Sequence, residues 1–289
     1  MKILLLILLP CLLWADSLGK LESEISSLIV KDLQKQKILY SKASNQKMRP
    51  ASLTKIMTAM LAIESGQMNK LVTIPKEATR AEPSKLGLKA GDKVYLRDLV
   101  KATLIGSAND AAVAIGIAVG GSTKKFVAMM NRKARMLGMH NTRFTNAAGL
   151  DIGAHYSSAS DLMKLAEYAI GNATFNQIVK ANAHSFRTAN TKRSYIVRTT
   201  NRLLKERKYA VGVKTGYTSQ AGPCLIARGK KDGKDVLLVM LNQKAKRWES
   251  AAAILDIALG EKKEAKNMKA KNNVKATQAS FEGRYVTPY

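Results

Sequence analysis

The sequence has few of the residues that form cross-links or hold metals. Its 289 residues include two cysteines and three histidines. Cys11 lies in the N-terminal apolar stretch, so a chain processed there keeps only Cys224 and cannot form an internal disulfide. His140, His155 and His184 are isolated, and no two of them have the spacing of metal ligands. The sequence therefore predicts no disulfide framework, no metal site and no cofactor.

Aromatic and acidic residues are also scarce. Aromatic side chains make up 6% of the chain against 46% for all hydrophobic residues, so a core of mainly aliphatic side chains is expected. The length suits one large domain or two small ones. Lys and Arg number 48 against 21 Asp and Glu, a formal net charge of +27. That charge suits an anionic membrane or an acidic substrate, and without a base-reading motif it predicts no nucleic-acid binding.

Residues 1–15 have the pattern of a secretory signal peptide. Lys2 precedes an apolar run from Ile3 to Trp14, and Ala15 is a small residue at its exit. The run is shorter than the roughly 20 residues of a membrane-spanning helix. We therefore expect export across the inner membrane to the periplasm. Leu13 is large for its place near the cut, which leaves retention as an uncleaved anchor open.

Strand-like segments lie at both ends of the remaining chain, with helices between them. The predicted strands are residues 26–30, 37–40, 209–213, 223–228 and 236–242, with turns at 216–218 and 231–233. Helical periodicity marks residues 53–63, 96–105, 111–119, 123–137, 157–170 and 247–259. A sheet assembled from distant segments with a helical insertion is an α+β fold rather than a series of βαβ units.

Ser52 and Lys55 form a candidate pair of nucleophile and base. Residues three apart share a helix face with Cβ atoms about 5–6 Å apart, so the Lys55 amine can reach the Ser52 hydroxyl. A helix N-terminus adds free N–H groups and a positive dipole end. Three other segments match S-x-x-K, and they begin at Ser17, Ser44 and Ser122. Only Ser52 opens a strongly apolar helix.

Two further motifs strengthen the prediction. Ser107–Ala108–Asn109 is the only S-x-N in the chain, and Lys214–Thr215–Gly216 is the only K-T-G. They follow Ser52 in that order, the first at a helix junction and the second at the end of a predicted strand. The three motifs together are the set found in class A β-lactamases and penicillin-binding proteins.

Longer segments around the motifs resemble the low-molecular-mass penicillin-binding proteins, and more closely the serine-type D-alanyl-D-alanine carboxypeptidases. These segments are residues 49–58, 87–92, 106–112, 141–150, 155–158 and 212–217. The resemblance covers roughly residues 25–260 and departs at Ala147–Ala148, where many relatives have Pro-His. It implies a serine β-lactamase-like fold, with an antiparallel sheet, a mainly helical region and an active site between them. We assign residues 16–260 to this catalytic domain.

The resemblance also implies a role for each motif residue. Ser52 would attack the D-Ala–D-Ala carbonyl, and Ser107 would relay a proton to the leaving group. Lys55 would be the base, which requires a neutral amine. An ordinary lysine has a pKa of about 10.4, and burial or a nearby cation such as Lys214 lowers it. The predicted substrate-binding residues are Asn109, Lys214, Thr215, Gly216 and Tyr217, with the backbone N–H groups of Ser52 and Tyr217 stabilising the oxyanion.

The predicted function is removal of terminal D-alanine from peptidoglycan stem pentapeptides, with β-lactams as covalent inhibitors. A D,D-endopeptidase that cuts cross-links would use the same residues. A serine β-lactamase of class A needs a Glu followed four residues later by Asn, and no Glu here has that neighbour. A non-catalytic cationic binding protein is the remaining alternative. His155 is expected to be a structural side chain.

The last segment differs from the catalytic region in composition. Residues 261–289 are Lys-rich and polar, without an apolar stripe that would make an anchoring helix. They predict a disordered basic extension that makes weak contact with an anionic membrane or wall polymer.

Overall fold

The computed structural model describes residues 23–244 and 246–260. Within them the strands are β1 Ile25–Asp32, β2 Lys37–Lys42, β3 Leu71–Thr73, β4 Lys93–Tyr95, β5 Ala183–Arg187, β6 Ser194–Arg198, β7 Ala210–Thr218, β8 Gly222–Lys231 and β9 Lys234–Gln243. The α-helices are α1 Lys55–Glu64, α2 Lys76–Thr79, α3 Leu96–Ile105, α4 Asn109–Gly120, α5 Thr123–Met136, α6 Ala159–Ile170, α7 Ala173–Val179, α8 Leu203–Glu206 and α9 Arg247–Leu259.

The central sheet joins the two ends of the chain. Its five strands are antiparallel in the order β2-β1-β9-β8-β7, and two separate hairpins pair β3 with β4 and β5 with β6. Ile29 of β1 lies opposite Val239 of β9, and Thr215 of β7 lies opposite Leu225 of β8. The predicted α+β class, with an antiparallel sheet and helices, is confirmed.

Alternation along β9 divides the core between the two faces of the sheet. Leu237, Val239 and Leu241 belong to the larger cluster shared with the helical region. Their neighbours Val236, Leu238 and Met240 face α9 in a second cluster. Because side chains alternate between faces along a strand, a strand covered on both sides becomes one unbroken apolar run.

Helix α1 lies at the centre of the helical region. All of its residues from 55 to 62 are buried, and it packs against α3 and α4. A helix buried on every side is a core helix rather than an amphipathic surface helix. Its first residue, Lys55, is therefore held in the interior of the protein.

The observed strands differ from the predicted ones in two places. The predicted turn at 216–218 is wrong, because β7 continues to Thr218 and pairs Gly216 with Cys224 and Tyr217 with Pro223. The hairpin of β5 and β6 was not predicted. The predicted turn at 231–233 is confirmed, since Asp232 and Gly233 both have positive φ, as a two-residue hairpin turn of type I′ requires.

The predicted signal peptide of residues 1–15 and the predicted extension of residues 261–289 lie outside the described residues. Within the part that is described, no single helix is long and apolar enough to cross a membrane. The pair α4 and α5, bent by 87°, passes that test by length and composition alone. The same part of the chain brings no three His, Cys, Asp or Glu side chains together in a group that could hold a metal ion.

Candidate active site

Ser52 lies in a short 3-10 turn that leads directly into α1. The turn spans Ala51–Thr54, and Lys55 is the next residue, so the two side chains point to the same side. The Lys55 Nζ lies 2.7 Å from the Ser52 Oγ. The sequence prediction of one continuous helix was close, but the tighter turn changes the path of the chain at Ser52.

Three oxygen atoms surround the amine of Lys55. Its Nζ lies 2.6 Å from the Asn109 Oδ1 and 2.6 Å from the Ala148 carbonyl oxygen. Both of those oxygens can only accept hydrogen bonds, whereas the Ser52 hydroxyl can donate. An ammonium would donate to all three oxygens, whereas a neutral amine would donate to Asn109 and Ala148 and accept from Ser52, so the contacts fit both forms.

Burial and electrostatics favour the neutral form of Lys55. Complete burial and the nearby positive charge of Lys214 hold the pKa of Lys55 well below its ordinary value of 10.5, and Asp110 opposes them weakly. Burial, with a smaller contribution from Arg247, lowers the pKa of Lys214 to about 7. Two buried amines close to one another thus share a site in which charge is unfavourable.

The middle loop supplies the carbonyl that Lys55 contacts. Asn146 fixes the loop, because its Oδ1 accepts hydrogen bonds from the backbone N–H groups of residues 148, 149 and 150. The Thr58 hydroxyl donates to the Ala147 carbonyl at 2.7 Å. Both contacts to Ala147 and Ala148 use backbone atoms, so the departure from Pro-His leaves these interactions intact.

Gly149 allows this loop to approach the 3-10 turn. Its φ is +85°, and a Cβ placed there would lie 1.9 Å from the Ala51 carbonyl oxygen and 2.9 Å from the Thr54 Oγ1. Contacts under 3.0 Å are essentially never seen for real Cβ atoms. Only glycine fits this position.

The S-x-N motif connects α3 to α4. Ser107 has a φ of +60°, is 8% exposed, and within the described residues its hydroxyl makes no hydrogen bond to Ser52 or Lys55. Asn109 begins α4 and donates from Nδ2 to the carbonyls of Glu82 and Pro83, each at 3.0 Å. The Asn109 side chain therefore joins Lys55 to the loop that precedes the motif.

The neighbouring Asp110 holds the next part of that loop. Its carboxylate accepts hydrogen bonds from the backbone N–H groups of Leu86, Gly87 and Leu88, at 3.1, 2.9 and 3.0 Å. Asp110 is fully buried. Because three N–H groups donate to it, the buried carboxylate has its hydrogen bonds satisfied, and it holds residues 86–88 in place.

The K-T-G motif lies on the edge strand β7, beside Ser52. A Cβ on Gly216 would lie 3.2 Å from the Ala51 Cβ and 3.3 Å from the Ser52 backbone nitrogen, so glycine lets the strand run close to the turn. The Thr215 hydroxyl lies 2.6 Å from that of Thr200. Lys214 is buried and its Nζ donates to the Thr215 carbonyl at 2.9 Å.

Arg247 is a further site residue that the sequence analysis missed. It begins α9, and its Nη1 donates to the carbonyls of Gly216 at 3.0 Å and Cys224 at 3.3 Å. Its charge contributes to the lowered pKa of Lys214. No motif marks this arginine, because it follows the K-T-G by about thirty residues and reaches the Gly216 carbonyl only in the folded chain.

An open cleft of about 430 Å³ reaches Ser52. Its lining also includes Asn109, Gly149, Leu150 and Tyr217, and Tyr217 is 66% exposed. A larger and more open cavity, of about 700 Å³, lies between α7 and β8 and contains none of the predicted site residues.

His155 is hydrogen-bonded to the 3-10 turn that carries Ser52, through Thr54. Its Nδ1 accepts the Thr145 backbone N–H at 3.0 Å, so its Nε2 carries the proton and donates to the Thr54 Oγ1 at 2.9 Å. Burial lowers the pKa of His155 to about 4. Its partners are Thr54 and Thr145, as expected for a structural, neutral histidine.

Comparison with known proteins identifies a family and several relatives of this chain. Residues 16–245 match the family described as D-alanyl-D-alanine carboxypeptidase. The chain is 33% identical to D-alanyl-D-alanine carboxypeptidase DacF of Bacillus subtilis over 84% of its length, and 33% identical to DacC of Escherichia coli over 76%. It spans 64% and 56% of the lengths of those two relatives.

Solved structures agree with this likeness. The Streptomyces K15 DD-transpeptidase matches with a TM-score of 0.75 at 31% identity, covering 81% of this chain and 96% of that one. D-alanyl-D-alanine carboxypeptidase DacD of Francisella tularensis matches with a TM-score of 0.74 at 26% identity, covering 81% of this chain and 70% of that one.

Proposed function

The chain belongs to the D-alanyl-D-alanine carboxypeptidase family, and from that membership we propose that it removes the terminal D-alanine from peptidoglycan stem pentapeptides. The observation that carries the proposal is the contact of 2.7 Å between the Ser52 Oγ and a buried Lys55 whose pKa is lowered. A serine hydroxyl is a weak nucleophile until an adjacent base takes its proton. The reaction is therefore an acyl transfer through a covalent Ser52 ester.

Acylation uses the neutral form of Lys55. The amine takes the Ser52 proton as the oxygen attacks the carbonyl between the two D-alanines. Its contacts to Asn109 and Ala148 keep its lone pair directed at Ser52. Collapse of the tetrahedral intermediate breaks the peptide bond, and the departing amine receives the proton that Lys55 holds. We infer that Ser107 relays this proton after its hydroxyl turns toward Lys55, since the two side chains are not hydrogen-bonded in this structure. Water then hydrolyses the ester and frees the enzyme.

Three parts of the site hold the substrate. The backbone N–H groups of Ser52 and Tyr217 stabilise the oxyanion, a kind of contact whose loss typically costs about 10²–10³ in rate. Lys214 and Thr215 bind the terminal carboxylate, and Asn109 contacts the peptide. Gly216 lets β7 approach closely enough for these groups to converge. Arg247 is a positioning residue, because it ties this strand to α9.

A D,D-endopeptidase is the second candidate. One relative, 32% identical over 78% of this chain, is named D-alanyl-D-alanine endopeptidase, from Haemophilus influenzae. The same residues would cut a cross-link, with a larger leaving group. The rate of D-alanine release from a pentapeptide, measured beside the rate of cleavage of a cross-linked dimer, separates the two activities.

The test of the nucleophile is covalent labelling with penicillin. Mass spectrometry of the wild-type protein should show one adduct on the peptide that contains Ser52, and Ser52→Ala should show none. Ser44→Ala is the matched control, because Ser44 begins another S-x-x-K but lies in a loop away from the cleft. Labelling of Ser52→Ala at the wild-type level would contradict the mechanism. Rapid turnover of penicillin would favour a β-lactamase instead.

Location follows from the proposed substrate and from residues 1–15. We propose that the protein is exported and acts on the periplasmic side of the inner membrane, and that residues 261–289 make weak contact with anionic lipid or wall polymer. Fractionation of cells that make the full chain tests both statements. Recovery in the cytoplasm would contradict export, and binding to membranes that survives high salt would contradict a weak electrostatic contact.

A further inference from the structure

The cavity between α7 and β8 has a basic lining. Its volume is about 700 Å³, and among the described residues that line it none is acidic and three are basic: Lys180, Arg228 and Lys230. It shares no lining residue with the cleft that reaches Ser52. The proposed reaction therefore leaves this cavity without a role.

Arg228 is held in one orientation at this cavity. Its Nε and Nη2 donate to the two carboxylate oxygens of Asp235, at 2.7 and 2.5 Å, and its Nη1 donates to the Asn176 Oδ1 at 3.1 Å. Arg228 and Asp235 are both buried. A guanidinium has five N–H donors in a rigid fork, so these three contacts leave two donors for a ligand.

Two lysines complete the basic lining. Lys230 lies two residues after Arg228 on β8, so both side chains are on the same face of the sheet. Its Nζ is 3.2 Å from the Asp235 Oδ2, yet 47% of the side chain is exposed. Lys180 follows α7 and is exposed, and no hydrogen bond or ion pair joins its amine to a described residue. Three cations that meet one carboxylate, Asp235, leave two positive charges unbalanced.

The unbalanced charge fits a phosphate monoester. Such a group carries a charge of about −1.5 to −2 at pH 7 and three strong acceptor oxygens. A carboxylate brings one charge and two oxygens, so it would leave one cation unbalanced. A fixed guanidinium matches the geometry of phosphate oxygens, and flexible lysines add point charges. Ile170 and Ala173, which also line the cavity, would contact the carbon part of the ester.

We propose that the cavity between α7 and β8 is a binding site for the phosphate group of a monoester, separate from the reaction cleft. Arg228 supplies fixed donors, and Lys180 and Lys230 reach the phosphate oxygens from the α7 and β8 sides. Phosphate monoesters occur as lipid headgroups and as soluble molecules, and both present the same oxygens. The proposal does not depend on the activity at Ser52.

Titration of the full chain with glycerol 3-phosphate tests the site. In about 0.15 M sodium chloride, where long-range surface attraction is largely screened, the wild type should bind it saturably and more tightly than acetate. Lys180→Gln/Lys230→Gln should bind it about tenfold more weakly, because one exposed ion pair contributes up to about fivefold. Arg228 is left unchanged, because loss of one partner of a buried ion pair is strongly destabilising.

Lys124→Gln/Lys125→Gln is the matched control. It removes the same two charges from exposed lysines on α5 that do not line the cavity. Its affinity for glycerol 3-phosphate should stay within about twofold of wild type. Penicillin labelling of Ser52 at the wild-type rate in both double variants should show that they are folded.

Vesicles of phosphatidylcholine that contain phosphatidic acid distinguish the two sources of the ester. If the cavity variant sediments with them less than the control variant does, the site takes a lipid headgroup, and if the two sediment equally, its ligand is a soluble ester. Residues 261–289 are present in both variants, so any contact they make with the vesicles is common to both. The proposal is overturned if the wild type does not bind glycerol 3-phosphate saturably, if acetate binds as tightly, or if both double variants weaken binding equally.

Discussion

Gly149→Ala is the substitution for which the structure gives the sharpest expectation. The new Cβ would lie 1.9 Å from the Ala51 carbonyl oxygen, where ordinary contact begins near 3.4 Å. The loop or the 3-10 turn must therefore move by about 1.5 Å, judged against that contact distance. Either shift separates the Ala148 carbonyl from Lys55 or displaces Ser52. A misplacement of about 1 Å can cost about 10²-fold in rate.

Gly153→Ala is the matched control. Gly153 lies in the same loop with a φ of +61°, but its nearest neighbour to a new Cβ is the Thr145 Cγ2 at 4.0 Å. Both variants meet the backbone penalty of about 1–2 kcal/mol for a left-handed residue. Only Gly149→Ala adds the overlap, which we estimate at about another 1–3 kcal/mol from the cost of overpacking.

Two measurements follow from this comparison. Penicillin acylation of Ser52 should slow by about 10²-fold or more in Gly149→Ala and stay within about twofold of wild type in Gly153→Ala. The melting temperature should fall by about 10 °C in the first variant and by about 4 °C in the second, at roughly 2–4 °C for each kcal/mol. Equal acylation rates in the two variants would refute the argument that this loop must touch the turn.

Two further predictions concern pH. Lys214→Gln removes a positive charge that lowers the pKa of Lys55, so the pKa of Lys55 should rise. The acidic limb of the profile of acylation rate against pH should then move to higher pH. A limb at the wild-type pH would show that the two amines are not coupled. Burial lowers the pKa of His155 to about 4 from 6.5, so the unfolded chain binds a proton that the folded chain excludes, and stability falls as the pH drops from about 6.5 to about 4. His155→Gln should flatten that decline in thermal unfolding measured across the same range, and an equally steep decline would assign it to other groups.

The local patterns predicted the elements better than the contacts between them. The helix predicted at 247–259 matches α9, whose end is marked by Gly260, and that at 96–105 matches α3, whose apolar residues recur at helical spacing. The hairpin of β5 and β6 was not predicted, because its strands are short and largely exposed and so lack an apolar pattern. The end of β7 was misplaced, because Gly216 suggests a turn when the chain is considered without its partner strand.

The candidate site shows the same limit. Its motif residues were predicted because Ser52, Lys55 and Lys214 belong to short patterns with chemical meaning. The Ala148 carbonyl was not predicted, since a backbone acceptor leaves no mark on residue type. Arg247 was missed because a single charged residue in a basic chain gives no signal until the structure shows which carbonyl groups it contacts. Tertiary placement, rather than composition, decides their roles.

The position of β9 in the sheet has a consequence for biogenesis. This strand is the only link between the β1–β2 hairpin and the β7–β8 hairpin, yet it is the last strand of the described chain to be synthesised. Until residues 234–243 are available, the sheet lacks its central strand, and no strand joins the β7–β8 hairpin to β1. Such distant pairings form late, because loop closure must come first. A nascent or translocating chain would therefore be chemically inert, and its reactivity would begin only when folding is nearly complete.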